Sequence, residues 1–478
     1  MKKNVVRLLT FVLLILMVSG MFAGCAEKEP EPLHICVDIG YVNPIRFHSS
    51  YEKRFEAETL ITNMLQAGKQ KGIEVPRDFE IEFLPKEGVE RETALDRIRT
   101  EVMSGGGPDL FIVACNEKDP VFSEEALFTM PEKAMELSIF LTLDEYMENE
   151  TVFAEWDRMN QTVLAAGRTE EGQQIIPMCY TFPLTVYSAA DTDHIGSNET
   201  TWMDMLESED AAFAAAAVWT DNTANLGAGS PFYLVRQPMT EFILGGIADY
   251  REEELLFTEE EFEHRMSEII RLASDYKTGG FAAAPKRYAA FVGYEFTAPA
   301  LTVIGADGKG IDILNGIKYQ DEHTYIPLYS DDGGVTAEIT AYAAINRNTD
   351  QADEAYRVVD YLMSYRAQQC DWVYPVLLYL YGDTKSVPMY NELMTDDQKV
   401  YQPKRVADTG SGGWHLIEKN FAEYSKAREQ ITNVKFRNEL DKVFIQAYRD
   451  YYAAVTSGED AEAVVAESYR QIQRLVRE

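Results

Sequence analysis

Residues 90–114 read Glu90-Arg-Glu-Thr-Ala-Leu-Asp-Arg-Ile-Arg-Thr-Glu-Val-Met-Ser-Gly-Gly-Gly-Pro-Asp-Leu-Phe-Ile-Val-Ala114. Leu95, Ile98 and Val102 recur at helical spacing over Glu90–Met103, and Asp109–Ala114 is an apolar run bounded by Gly and Pro. Gly105 is placed to cap the helix, and Pro108 stops it from continuing. The Gly cluster lacks the Gly-Lys-Ser/Thr ending of a phosphate-binding loop and precedes a strand instead of opening a helix. It therefore reads as structural, with any function displaced to the far end of the strand, at Asn116, Glu117 and Asp119.

Outward from this unit the same alternation holds. Leu33–Ile39 and Phe79–Leu84 read as strands, and Ser50 to about Lys71 is helical in composition. Strands alternating with amphipathic helices predict an α/β chain with a parallel, helix-covered sheet. Thr258-Glu-Glu-Glu261 is a capping box, with Phe257 and Phe262 at the staple positions around it. Thr395–Gln398 is a second candidate box. Helices are predicted over Asp353–Gln369, about Phe436–Val455 and Ala461–Arg477, the last two separated by Ser457-Gly458. Strand-rich stretches fall at Gln174–Ser188, Ala289–Ile304, Ile317–Tyr329 and Glu338–Ile345. Repeated re-entry into β structure fits two lobes joined by more than one crossing.

Composition limits the function. The 478 residues carry 44 Lys+Arg against 79 Asp+Glu, a formal net charge of −35. Counterion release on a phosphate backbone needs a basic face, so nucleic acid is excluded as a partner. Binding to an anionic membrane surface by charge alone is disfavoured for the same reason. Hydrophobic residues at 46% and aromatics at 12% supply a packed core, so the acidity does not signal disorder. The six His residues form no metal-ligand spacing and no G-x-S-x-G is present, so neither a metal nor a cofactor is expected. Asp191-Thr-Asp193 lacks the remaining ligands of a calcium loop.

The first residues set the compartment. Lys2, Lys3 and Arg7 precede an apolar run from Leu8 to Phe22, followed by Ala23, Gly24 and Cys25. This is the order of an export signal, and the run is shorter than the ~20 residues a spanning helix needs. Ala23-Gly24-Cys25 resembles a bacterial lipobox, in which the Cys is lipidated and becomes the mature N-terminus. The resemblance implies a signal peptide at 1–24, lipidation of Cys25, and a charged, Pro-rich tether at 25–32. The chain is then expected on the extracellular face of a bacterial cell membrane. Cys36, Cys115, Cys179 and Cys370 show no C-x-x-C spacing and stand in apolar surroundings, which favours buried free thiols.

Aromatics at strand ends are the best ligand candidates. Trp414 closes the Gly-rich turn Thr409–Gly413, and Tyr41, Tyr180, Phe182, Tyr294 and Phe296 stand beside Gly, Pro or charged residues. Aromatic faces beside carboxylates and amides are what a sugar site requires.

Several segments together resemble the extracellular solute-binding proteins of ABC importers, family 1, the maltose-type carbohydrate binders. They are Asp38-Ile-Gly-Tyr41 before a long helix, Gly107-Pro-Asp-Leu-Phe111, Gln174–Tyr180 through Val186-Tyr187, Thr201–Leu206, and Ala341–Asn346 with its following helix. The resemblance departs at Tyr187-Ser188, at Gly293–Phe296 and at Val113.

The resemblance implies a two-lobe periplasmic-binding-protein-like fold with a hinged interlobe cleft. Lobe one would span 33–180 and 337–388, and lobe two 181–336 and 389–478. Tyr41, Asn116 and Asp119 would line lobe one, Tyr180 and Phe182 the hinge, and Tyr294, Glu295 and Trp414 lobe two. The implied function is delivery of a small-molecule ligand, first of all a sugar, to ABC permease subunits by a monomer without catalysis. An anchored glycan hydrolase, a receptor for a sensor kinase, and a polyamine or peptide ligand are the alternatives.

Overall fold

The computed structural model describes residues 31–39, 79–85, 87–114, 125–182, 184–188, 201, 245–267, 289–292, 302–304, 310–312, 323–327, 329–330, 332–364, 387–391 and 426–477. Its largest sheet begins with β1 (Leu33–Ile39), β2 (Phe79–Phe83) and β3 (Leu110–Ala114), with α1 (Gly88–Met103) between the last two. β1 pairs in parallel with β2 on one side and with β3 on the other. β3 is buried from Leu110 to Val113, as a strand covered on both faces should be. α1 buries Leu95, Ile98 and Val102, the spacing read from the sequence, together with Arg91.

The Gly cluster after α1 is a helix stop. Gly105 is left-handed at φ 88°, its N–H donates to the Val102 carbonyl at 3.1 Å, and Gly106 N–H donates to Glu101 at 2.9 Å. This is a Schellman closure, which satisfies carbonyls that the helix end leaves open. Asn346 then pins the loop, its amide donating to the carbonyls of Gly106 at 2.8 Å and Pro108 at 2.9 Å. The Asp109 carboxylate accepts from the backbone N–H of His34 at 2.8 Å and from the Thr349 hydroxyl. Each residue of the Pro108-Asp109 turn is thus accounted for by structure.

Apart from short two-stranded ribbons, the strands that follow are β4 (Ile175–Thr181), β5 (Leu184–Ser188), β6 (Ala289–Val292), β7 (His323–Pro327) and β8 (Val335–Ile345). β8 is the spine of the large sheet. One edge is antiparallel to β4 over Glu338–Ala344; the strand also pairs antiparallel with β3 over Ala341–Ile345. Over Val335–Ile339 it pairs in parallel with β10 (Ile431–Phe436). The strand β9 (Val387–Pro388) closes the far side against β4, giving the order β9-β4-β8-β3-β1-β2 with β10 on β8. β6, β5 and β7 form a separate antiparallel sheet with β5 in the middle.

Apolar side chains gather into two cores. The first lies on the large sheet and includes Phe111, Phe128 and Phe140, whose rings meet edge to face at 4.9–6.3 Å. The second joins Phe257, Phe262 and Met266 to α6 (Glu439–Ser457) and α7 (Ala461–Arg477). Gly458 turns between these two helices at φ 76°. The predicted capping box is present: Thr258 N–H donates to the Glu261 carboxylate at 2.7 Å and Glu261 N–H to the Thr258 hydroxyl at 3.2 Å. Phe257 and Phe262 complete the staple at 5.7 Å. The Thr258 N–H and hydroxyl, both donating to the Glu261 carboxylate, hold it below its ordinary range.

One predicted element differs. Ile431–Phe436 is a strand of the large sheet, and the following helix starts at Glu439 instead of about Phe436. In the segment from 389 onward, Met389, Tyr390, Ala427, Ile431 and Phe436 pack in the first core. From Leu440 the described residues of this segment join the second. The helix at Ser50–Lys71 and the box at Thr395–Gln398 lie outside the described residues.

Asn346→Ala should destabilise the protein by about 1–3 kcal/mol, the cost of leaving buried carbonyls without donors. Urea unfolding followed by circular dichroism checks this. A loss below ~0.5 kcal/mol would mean that the Gly106–Pro108 carbonyls find other donors.

Candidate functional site

A parallel sheet with order β2-β1-β3 has a topological switch point. The chain leaves β1 toward β2 on one side and later returns to β3 on the other. Ligand crevices in open α/β sheets form beyond the carboxyl ends of the strands at such a point. Here the last matched pair of β1 and β3 is Ile39 with Ala114.

A buried ion pair frames this end of the sheet. Asp38, next to last in β1, meets Arg91 of α1 in a two-pronged contact, Nη1 to Oδ1 and Nη2 to Oδ2, each 3.0 Å. Both side chains are 2% exposed. Asp38 Oδ2 also accepts from Leu127 N–H at 2.9 Å. Arg91 donates further to the carbonyls of Pro85 at 2.9 Å and Glu125 at 2.6 Å. Two turns along α1, Arg99 holds the same returning segment through the carbonyls of Ala126 at 2.6 Å and Leu127 at 2.9 Å.

The planar guanidinium matches a carboxylate and several carbonyls at once, so the pair fixes orientation as well as charge. With both oxygens engaged, Asp38 is a framing group and not a free acid, base or ligand donor. It ties β1, α1 and the chain returning at 125–127 into one rim. Sequence reasoning used Asp38 only as part of a strand-end motif and passed over Arg91. The available signal was an Asp inside an apolar strand, which requires a buried partner.

The sequence-predicted site residues fall into two groups. Tyr41, Asn116, Asp119, Tyr294, Glu295 and Trp414 lie outside the described residues. In sequence, Tyr41 follows the end of β1 by two residues, and Asn116 follows the end of β3 by two. Tyr180 and Phe182 are described, and both are fully buried. The Tyr180 hydroxyl accepts from Arg428 Nε at 2.8 Å and lies 3.3 Å from the Asn160 amide. The Phe182 ring stacks beside it at 6.5 Å. Their aromatic rings are thus core groups where β4 leads toward β5, and the Tyr180 hydroxyl is occupied by protein donors.

Cations serve the frame elsewhere too. Arg428, 4% exposed, donates to the Tyr390 carbonyl at 3.0 Å. Glu338 of β8 faces Lys435 of β10 in register, with Nζ 3.0 Å from Oε2. Among the described residues no cluster of three or more His, Cys, Asp or Glu is arranged to hold a metal ion. Cys36 is a buried free thiol, as the sequence implied, and Cys179 is buried too. Burial, reinforced by Asp38 and Glu82, pushes the Cys36 thiol well above its ordinary value, so it is held protonated. No helix of the described residues is long and apolar enough to cross a membrane.

No protein-family model matches the chain, and no curated protein matches it in sequence. Solved structures do match in fold. One described as an extracellular solute-binding protein family 1 from Alicyclobacillus acidocaldarius aligns with TM-score 0.50 and 13% identity, over 95% of this chain and 100% of that one. A designed esterase aligns with TM-score 0.48 and 13% identity, over 93% and 99%. A periplasmic oligogalacturonide-binding protein from Yersinia enterocolitica aligns with TM-score 0.48 and 12% identity, over 93% and 99%. The fold is that of the family 1 extracellular solute-binding proteins, as the motifs along the sequence implied.

Breaking the rim pair from one side should be costly. Arg91→Met leaves Asp38 buried without its cation and should destabilise by about 3–5 kcal/mol. The double variant Asp38→Asn/Arg91→Met should recover a substantial part of that loss in chemical denaturation. Strict additivity of the two single changes would show that the pair is not coupled.

Proposed function

We propose that this chain is a lipid-anchored extracellular solute-binding protein that captures a carbohydrate and delivers it to the permease of an ABC importer. The observation that carries the reading is the switch point at Ile39 and Ala114, framed by Asp38 and Arg91. The sugar-type residues Tyr41, Asn116 and Asp119 follow it directly in sequence. The full-length likeness in fold to solute-binding proteins supports the reading.

In this proposal Tyr41, Asn116 and Asp119 contact ligand from lobe one, and Tyr294, Glu295 and Trp414 from lobe two. Carboxylates and amides accept or donate to sugar hydroxyls, while aromatic faces cover the apolar face of the ring. Tyr180 and Phe182, buried where β4 leads toward β5, support the hinge from beneath. Closure over the ligand gives the permease a shape to recognise, and no bond is broken. Cys25, lipidated after removal of residues 1–24, holds the protein at the outer membrane face. With Lys2, Lys3 and Arg7 removed, 41 basic residues face 79 acidic ones, a net charge of −38. A lipid anchor does not depend on charge attraction to the membrane.

A thermal-shift panel of oligosaccharides, polyamines and peptides tests the ligand class, because a bound ligand raises stability as RT ln(1+[L]/Kd). Stabilisation by an oligosaccharide that is recovered intact supports the proposal. Stabilisation by a polyamine or peptide alone would reassign the ligand, and turnover of a labelled glycan would make the protein a hydrolase. Trp414→Ala should weaken binding of the stabilising sugar by about tenfold or more, from lost burial and ~0.5–1.5 kcal/mol of aromatic contact. Unchanged affinity in calorimetry with an intact fold would remove Trp414 from the site.

A further inference from the structure

The chain passes between its two larger sheets at 328–334, from the end of β7 at Pro327 to the start of β8 at Val335. The last part of this passage is a closed turn. Ser330 N–H donates to the Gly334 carbonyl at 2.7 Å, and Gly333 N–H donates to the Ser330 carbonyl at 2.9 Å. Gly333 is left-handed at φ 80°, and a Cβ on Gly334 would overlap the Thr432 hydroxyl and the Asn433 amide of β10. Two adjacent glycines leave a link with wide backbone freedom. Such a link keeps one course only if other groups hold it.

The Asp332 carboxylate takes donors from three parts of the chain. Oδ1 accepts the Ser330 hydroxyl at 2.6 Å and Gly334 N–H at 2.9 Å. Oδ2 accepts the Asn433 amide of β10 at 2.7 Å and Gly246 N–H at 3.4 Å. A turn-forming Asp needs only the first two contacts, and the last two reach outside the turn. Ser330 is fully buried, while Asp332 is exposed at the tip. Gly245, at φ 84°, has no room for a Cβ against the same carboxylate. Partial removal from water pushes the Asp332 carboxyl up, but the donors outweigh this and hold it below its ordinary value. Both outside donors are themselves anchored. Asn433 lies in β10, which pairs with β8. Gly246 leads into the ribbon Ala248–Asp249 and Glu254–Leu255, where Glu253 pairs with Lys133 of α2 (Pro131–Glu136) at 2.9 Å. Lys133 Nζ also donates to the Val476 carbonyl of α7 at 2.8 Å.

We propose that Asp332 is the positioning residue of this passage. It clamps the Gly333-Gly334 link to β10 and to the segment at Gly246, and so fixes the direction in which the β5–β6–β7 sheet departs from the large one. The inference rests on the two-lobe reading above and adds the group that sets how the lobes stand to each other in the free protein. Without the clamp the glycine pair is free to bend, and the smaller sheet takes a wider range of orientations. A ligand that bridges the lobes then has more freedom to remove on closure, which weakens binding with no ligand contact changed.

Small-angle scattering and amide hydrogen exchange on the full chain without ligand test this in Asp332→Ala and Asn433→Ala. In Asp332→Ala the Gly334 amide loses a charged acceptor and should exchange about tenfold faster or more, with Ile112 in β3 unchanged. The same variant should show a larger radius of gyration and a broader distribution of interatomic distances than the wild type. Asn433→Ala, which cuts the tie to β10 and leaves the turn, should show a smaller change in the same direction. A residue that serves its own turn alone would lose Gly334 protection and leave the scattering as it was. That result in Asp332→Ala, or unchanged Gly334 protection, overturns the clamp. If Asp332→Ala does not fold, Asn433→Ala decides by scattering, and a wild-type profile overturns it. No ligand enters the measurement, so a wrong ligand class shows in the thermal-shift panel and a wrong clamp shows here.

Discussion

The contact on which the rim of this molecule depends is the buried pair between Asp38 and Arg91. Taking two charges out of water is expensive, and their attraction offsets this only with good geometry and with the remaining polar positions filled. Both conditions hold: the carboxylate is gripped at two points and accepts a backbone N–H, and the guanidinium reaches two backbone carbonyls besides. A pair of this kind is weak evidence for stability, because a well-packed apolar replacement can serve as well. Its distinctive contribution is position. It joins the end of β1, the first turns of α1 and the chain returning at 125–127 at the place where an open sheet forms its crevice.

The second constraint is the register of β8. Val335–Ile345 is longer than any other described strand and pairs with β4, β3 and β10. Its first half, with β4 and β10, lies where the chain leaves for the second sheet and the α6–α7 pair. Every β8 residue with a described side chain is buried, so the strand is covered on both faces and a one-residue shift would exchange the side chains each face receives. The same region places Glu338 opposite Lys435 and Tyr342 edge-on to Phe436 at 5.4 Å. Arg91, Arg428, Lys133 and Lys435 are engaged in internal contacts, in a chain whose formal net charge is −35.

Local patterns were legible where local physics decides them. The Gly105 helix stop, the Thr258–Glu261 box with its phenylalanine staple, and the buried face of α1 follow from spacing within a few residues. The strand Ile431–Phe436 was missed because it is short, carries polar residues between its apolar ends and abuts a strong helical pattern. Its identity comes from pairing with Val335–Ile339, about a hundred residues away in sequence. The frame of the site was equally hidden, since nothing adjacent to Arg91 marks it as buried. Tyr180 drew attention as an aromatic at a strand end, and the donors that occupy its hydroxyl, Asn160 and Arg428, come from distant parts of the chain.

In the proposed function two lobes close over a small ligand at the switch point. Small-angle X-ray scattering with and without a saturating oligosaccharide that binds the protein measures it most directly. Closure gives a 1:1 complex with a smaller radius of gyration than the free protein. A bound sugar that leaves the radius of gyration unchanged would contradict closure over the ligand.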